Sequence, residues 1–227
     1  MFPYLKKNFI RPQIINLGLV PFALAEFEMH FVHEEVCLGS NDCVIVFEPS
    51  DIAYCLGRSS MSYHDIKQNN TKALDKKYYI LDRGGRTTVH SKNQFVAYFV
   101  IDILHSSISI DKFIYILEQI MIDYLFDNFK IIAERLDINR GCFVGKKKIG
   151  FLGIRVKKGV TMYGIAINIC NDLSLFDEII PCGLKNVEIT SVAHVKQQEF
   201  DANESKILFD NFVNFLRVNV ARYFCES

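Results

Sequence analysis

Two apolar runs joined by a charged turn restrict this chain more than any other feature. Ile149, Phe151, Leu152, Ile154 and Val156 make the first run, Gly164-Ile165-Ala166-Ile167-Asn168-Ile169 resumes it, and Lys157-Lys158-Gly159 turns the chain between them. The pattern predicts a β-hairpin and so commits the chain to a sheet. Beyond it, Asp172 to Ile180 mixes polar and apolar residues, and Pro181-Cys182-Gly183 ends the stretch. That turn combines a fixed φ, a thiol and a residue free to take positive φ. A thiol so placed can be presented at a surface beside backbone N–H groups, as a cysteine nucleophile with an oxyanion site needs. With an ordinary pKa of about 8.5, only a few per cent of such a thiol is ionised at pH 7, and a neighbouring ammonium favours the thiolate. Lys148, at the opening of the hairpin, is the candidate partner. The same residues also allow a plainer reading, a small buried cysteine and a solvated lysine in the Lys146-Lys147-Lys148 run.

Composition narrows the classes. The chain has 227 residues, 50% of them hydrophobic, enough for one domain with a full core, and we read residues 1–227 as a single domain. Its 26 acidic and 26 basic residues cancel, which gives no electrostatic argument for a nucleic acid or an anionic membrane as partner. Seven cysteines, Cys37, Cys43, Cys55, Cys142, Cys170, Cys182 and Cys225, form no CxxC pair. An odd, irregular set implies a reducing compartment rather than a disulfide scaffold or a zinc site. His30 and His33, the one close histidine pair, lack a third ligand and are expected at the surface. No apolar run is long enough to span a bilayer, the best being Phe95 to Leu104 with Asp102 inside it. No signal peptide is visible, so the expected location is the cytoplasm.

Along the chain, Phe22, Ala25, Met29, Val32 and Val36 recur at helical spacing and predict an amphipathic helix over about residues 21–36, with Phe27 and Phe31 expected in the core. Strands are expected at Cys43–Phe47, Ala53–Leu56, Tyr78–Leu81, Phe95–Leu104, Ile131–Ile132 and Gly141–Val144. Ser59 to Lys77 is polar and is a candidate lid. Ser109 is a plausible N-cap for a helix to about residue 129, with Asp111, Lys112, Glu118, Asp123 and Asp127 away from its apolar face, and a last helix covers about residues 203–222. Strands and helices mix without strict alternation, which predicts an α/β (α+β) domain with a mixed sheet flanked by helices. Asp82-Arg83-Gly84-Gly85-Arg86-Thr87-Thr88-Val89-His90 follows a strand. Paired glycines there let the backbone approach a ligand, and Arg83 can fix a carboxylate or phosphate by two hydrogen bonds.

Taken together these motifs resemble the lipoyl(octanoyl) transferase family. Lys148, Ile149, Gly153, Ile154, Arg155, Val156, Gly164, Ala166, Asn168, Asp172, Leu173, Ser174, Phe176, Pro181, Cys182 and Gly183 fall in the family's register without a gap. Arg83, Gly84, Gly85, Thr88, His90, Gln94 and Tyr98 match a second stretch, and Glu48-Pro49 with Leu56-Gly57-Arg58 a third. The chain departs by carrying Ser91-Lys92-Asn93 where the family has G-P-G, and Tyr163 where the family usually has histidine. The resemblance implies the fold shared by biotin and lipoate ligase catalytic domains. It implies an acyltransferase in lipoate biosynthesis that uses Cys182 as nucleophile and Lys148 beside it, without metal or cofactor. Arg83 to His90 (Arg83, Gly84, Gly85, Arg86, Thr87, Thr88, Val89, His90), Phe151, Leu152, Gly153, Gly164, Ile165 and Ala166 would bind substrate. The implied donor is octanoyl-acyl carrier protein, the implied acceptors are apo-lipoyl domains of 2-oxoacid dehydrogenases and the glycine cleavage H protein, and the enzyme is expected to be a monomer. Competing expectations are an ATP-dependent lipoate or biotin ligase-like enzyme, a thioesterase, and a non-catalytic acyl-binding relative.

Overall fold

A computed structural model describes residues 11–60, 77–137, 139–180 and 187–225. The Pro181-Cys182-Gly183 turn and most of the candidate lid, residues 61–76, lie outside them.

The elements in chain order are β1 (Gln13–Val20), α1 (Phe22–Cys37), β2 (Cys43–Pro49), β3 (Ala53–Leu56), β4 (Tyr78–Ile80), β5 (Thr88–His90), β6 (Gln94–Val100), α2 (Ile110–Phe129), β7 (Glu134–Leu136), β8 (Asn139–Val144), β9 (Lys147–Lys157), β10 (Val160–Asn168), a 3-10 turn (Leu173–Glu178), α3 (Val192–Lys196) and α4 (Ala202–Cys225). The seven-stranded sheet runs β1-β2-β6-β10-β9-β8-β7, and a three-stranded sheet runs β4-β3-β5. Only β1 and β2 pair in parallel in the large sheet; the other neighbours are antiparallel. The expected hairpin is β9–β10, with Gly153 opposite Gly164.

The central strands β2 and β6 are buried along their whole length and largely apolar because both faces of the sheet are covered. Val44, Val46, Phe95, Ala97 and Phe99 face α2 and α4. Ile45, Phe47, Val96, Tyr98 and Val100, the alternate residues of the same two strands, face α1 and the small sheet. Helix α2 starts where Ser109 accepts a hydrogen bond from the Lys112 amide and stops at Lys130, which takes left-handed φ and ψ.

Five expectations need correction. Phe27 and Phe31 are 66% and 55% exposed rather than in the core. Phe22, Ala25, Met29, Val32 and Val36 already fill the buried stripe, and Phe27 stands about 140° around the helix from Phe22 at roughly 100° per residue. His33 is buried, with Nε2 at 3.2 Å from the Lys157 carbonyl, instead of at the surface. The strand expected over Phe95–Leu104 ends at Val100, since Asp102 accepts from the His105 amide and ring and turns the chain there. The short strand forms at Glu134–Leu136 and not at Ile131–Ile132, where Ile131 plugs the core and Ile132 is exposed. Glu118, expected on the polar face of α2, is only 3% exposed.

Candidate active site

A cavity of about 360 Å³ opens where β9 and β10 meet β6 and the Arg83–His90 segment. Leu81, Val96, Phe151, Leu152, Ile154, Ile165 and Ala166 supply an apolar wall, and Arg83, Thr88, His90, Tyr98 and Tyr163 bring polar atoms to it. That mixture suits an apolar ligand carrying one polar end. The close packing of strands here requires Gly164: a Cβ on it would stand 2.3 Å from the Ala97 carbonyl oxygen.

The substrate-binding residues inferred from sequence divide into those that meet the cavity and those that do not. Gly84, Gly85, Arg86, Thr88, His90, Phe151, Leu152, Gly153, Gly164, Ile165 and Ala166 line it. Thr87 and Val89 are outside its lining and buried, Thr87 against the Ser60 hydroxyl and Val89 in the core beneath α1. Arg83 lines the cavity, but its guanidinium donates to the carbonyls of Gly84, Arg86 and Cys55, at 3.0, 3.0 and 3.2 Å. It therefore shapes the glycine loop instead of presenting a free fork to an anion. The loop is tied to the hairpin as well, the Gly84 amide donating to the Ile154 carbonyl at 2.8 Å. Thr88 lines the cavity, and its Oγ1 is buried with no hydrogen-bond partner among the described residues.

His90 is held by a line of side chains. Its Nδ1 lies 2.6 Å from Gln94 Oε1, Gln94 Nε2 donates to Asn168 Oδ1 at 2.8 Å, and Asn168 Nδ2 donates to the Thr190 carbonyl at 3.0 Å. Burial pulls the His90 pKa down to about 4, against the opposing effect of the Gln94 bond, so the ring is neutral at pH 7. The Ser91-Lys92-Asn93 turn that leads into β6 keeps a left-handed residue, Asn93 at φ 65°. Asparagine tolerates that region better than most side chains, which preserves the turn without glycine. Asn93 is then fixed by its amide to Glu48 Oε1 at 2.8 Å and by the Ser205 hydroxyl at 2.9 Å.

Lys148 lies at the start of β9 and is 1% exposed, so the solvated reading does not hold. Its ammonium donates to Asn139 Oδ1 and, at 2.6 Å, to the Arg140 carbonyl, and it stands 5.2 Å from the centre of the Phe151 ring and 5.4 Å from that of Phe143. Asn139, Arg140 and Phe151 all line the cavity, so the amine sits directly behind its wall. The Lys148 backbone also pairs with the chain beyond position 182: its amide donates to the Glu188 carbonyl at 2.8 Å and its carbonyl accepts from the Thr190 amide at 2.9 Å. On the other side of that position, Phe176 stacks on Phe151 with ring centres 5.2 Å apart.

Three groups that line the cavity or touch its lining were given no role from sequence. Glu26 on α1 accepts from the Tyr98 hydroxyl at 2.9 Å, and burial raises its pKa to about 7, with the Tyr98 bond and Arg83 pulling the other way. Its position, four residues after Phe22 on the buried side of α1, is the signal that could have found it. Tyr163, noted only as a departure, is buried at φ 63°, where a bulky residue is strained, and its ring meets Tyr98 edge to face at 5.7 Å. Asn139 carries no sequence signal, since a lone asparagine before a strand is ordinary. Among the described residues Cys37, Cys43, Cys55, Cys142 and Cys170 are free thiols, and no group of His, Cys, Asp or Glu side chains could hold a metal.

Comparison with known proteins gives the same frame. The chain is 36% identical over 180 residues to an octanoyltransferase of Xanthomonas campestris pv. campestris (strain 8004), covering 79% of this chain and 75% of that protein. It is 38% identical over 141 residues to an octanoyltransferase of Legionella pneumophila (strain Corby), covering 62% of this chain and 68% of the relative. An octanoyltransferase of Alkaliphilus metalliredigens (strain QYMF) is 38% identical over 137 residues, 60% of this chain and 58% of that protein. Among solved structures, lipoate-protein ligase A bound with ATP superposes with a TM-score of 0.67 at 13% identity, covering 92% of this chain and 86% of the other. A bi-partite lipoate protein ligase from Thermoplasma acidophilum gives 0.64 at 13%, covering 92% and 84%. At such identities the agreement is one of fold. The family model described as the lipoyl protein ligase A/B catalytic domain matches residues 21–211, and the chain belongs to that family.

Proposed function

We propose that the protein transfers an octanoyl group from octanoyl-acyl carrier protein to the lysine of an apo-lipoyl domain, through a thioester on Cys182. The observation that carries this reading is the Lys148 ammonium, sequestered between two aromatic rings directly behind an apolar cavity. A positive charge so placed favours a thiolate at its side, and the paired segment Glu188–Thr190, shortly after Cys182 in the chain, supports their proximity. Among the other cysteines, burial raises the pKa of Cys37, Cys55, Cys142 and Cys170, which suits them to structural roles and not to nucleophilic attack. The octanoyltransferases to which the chain is similar support the donor and product.

The Cys182 thiolate attacks the carbonyl carbon of the octanoyl thioester, the carrier's sulfur leaves with the electron pair of the broken C–S bond, and the Lys148 ammonium gives that sulfur its proton and is left as the neutral amine. The octanoyl chain lies along the apolar wall, where six methylenes at about 0.8 kcal/mol each contribute roughly 5 kcal/mol of binding. The Thr88 hydroxyl, without a hydrogen-bond partner among the described residues, donates to a polar atom of the bound thioester. The acceptor's lysine amine then attacks the enzyme thioester, the Cys182 sulfur leaves, and an amide forms. Lys148, neutral at that point, takes the proton that the attacking amine loses, which closes the cycle.

The test is intact-mass spectrometry after mixing the protein with octanoyl-acyl carrier protein. The parent should gain one octanoyl group and pass it to a lipoyl domain without ATP, and Cys182→Ser should do neither. A Cys182→Ser variant that modifies the lipoyl domain at the parent rate disproves the covalent route, and modification by free octanoate only in the presence of ATP assigns the protein to the ligases.

A further inference from the structure

The buried amine is useful only if it points one way, and what aims it is the turn at the start of β8. A lysine side chain has roughly 2 kcal/mol of rotamer freedom to lose, so an oriented ammonium needs fixed acceptors. Among the described residues these include Asn139 Oδ1 and the Arg140 carbonyl, both neutral oxygens of residues that line the cavity. The turn carrying them is pinned from below. The Gly141 amide donates at 3.0 Å to Oε1 of the buried Glu118 on α2, whose Oε2 is 3.3 Å from Arg135 Nε. Gly141 has a φ of 123°, and a Cβ there would meet the Gly150 carbonyl oxygen at 2.3 Å and Lys148 Cε at 3.0 Å. Glycine is thus what lets the turn close down onto the lysine, and the β8–β9 register shifts between Cys142 and Phe143 to accommodate it.

We propose that Asn139 is a positioning residue: its side-chain oxygen, with the Arg140 carbonyl, holds the Lys148 amine toward the cavity in the one orientation that serves the acyl transfer. The inference rests on the role of Lys148 argued above. A neutral amide is suited to this task because it fixes the amine's direction without adding a carboxylate's charge, which would resist the later loss of a proton from the ammonium.

The experiment compares Asn139→Ala, Asn139→Asp and Lys148→Ala in the full chain, reading the rate of octanoyl-enzyme formation against carrier concentration by quenched mass spectrometry, with thermal unfolding alongside. Removing a hydrogen bond to a charged group should slow maximal acylation about ten- to a hundredfold. The carrier concentration for half-maximal rate should not change, because Asn139 acts in this proposal through the Lys148 amine. Asn139→Asp, which retains an oxygen in the same place, should restore acylation to within about threefold of the parent. Parental acylation in Asn139→Ala, or equal losses in the alanine and aspartate variants, overturns the proposal. An inactive Lys148→Ala beside a fully active Asn139→Ala removes only the positioning role, whereas a fully active Lys148→Ala removes the lysine's role and this inference with it.

Discussion

Replacing Glu26 by glutamine removes a titration that the fold makes costly. The carboxyl is enclosed by α1 and the sheet, accepts from the Tyr98 hydroxyl, and is pushed from 4.5 to about 7 by burial, with Arg83 and the Tyr98 bond opposing. Below pH 4.5 the folded and unfolded chains both keep the proton, and the carboxyl's contribution to stability is fully present. As pH rises through 7 the unfolded chain is already ionised and the folded one must ionise a desolvated group, so that contribution is lost. A rise of roughly 2.5 pH units at about 1.4 kcal/mol each amounts to roughly 3 kcal/mol, complete by about pH 8. Glutamine keeps an acceptor for Tyr98 and has nothing to titrate. Relative to the parent, Glu26→Gln should therefore gain about 3 kcal/mol between pH 4.5 and pH 8, equivalent to roughly 6–12 °C in melting temperature for a domain of this size. Urea unfolding of both proteins at pH 5, 6, 7, 8 and 9 measures it. A stability difference that stays constant across that range refutes the argument, since it would mean that Glu26 titrates alike in the folded and unfolded chains.

Further outcomes follow from packing. Phe22→Ala should lose about 3–5 kcal/mol, since Phe22 is fully buried and its ring packs on those of Tyr79 and His90, while Phe31→Ser should change stability by no more than about 0.5 kcal/mol in the same urea titration, because Phe31 faces solvent. Gly164→Ala should destabilise by about 1–3 kcal/mol and reduce octanoyl loading, because the added methyl would meet the Ala97 carbonyl, a backbone atom with no rotamer to escape into. Thr88→Val, nearly the same volume, should leave unfolding unchanged and slow acylation about tenfold; an unchanged rate would rule out a hydrogen bond from its hydroxyl to the substrate.

The elements that sequence made legible are those whose signal is local. The β9–β10 hairpin follows from two apolar runs around Lys157-Lys158-Gly159, and α1 and α2 from apolar spacing and, for α2, the Ser109 cap. The errors came where a local pattern has two tertiary outcomes. Phe27 and Phe31 are as apolar as Phe22, but one face of a helix can meet the sheet, and Ala25, Met29 and Val32 had already taken it. Glu118 carries the charge of a surface residue, yet the Gly141 amide and Arg135 compensate its burial from strands distant in sequence.

The site divides in the same way. By itself the sequence determined that a lysine opens the hairpin, that a glycine-rich turn follows a strand, and which family pattern both belong to, because those are properties of residue order. Only the tertiary structure decided that Lys148 is buried against Asn139 and Arg140, that Arg83 braces its own loop instead of offering itself to a ligand, and that Glu26 reaches Tyr98 beside the cavity. Hydrogen-bond partners and solvent exclusion depend on which distant segments the sheet brings together, and those are what turn an ordinary lysine, arginine or glutamate into a working or a structural one.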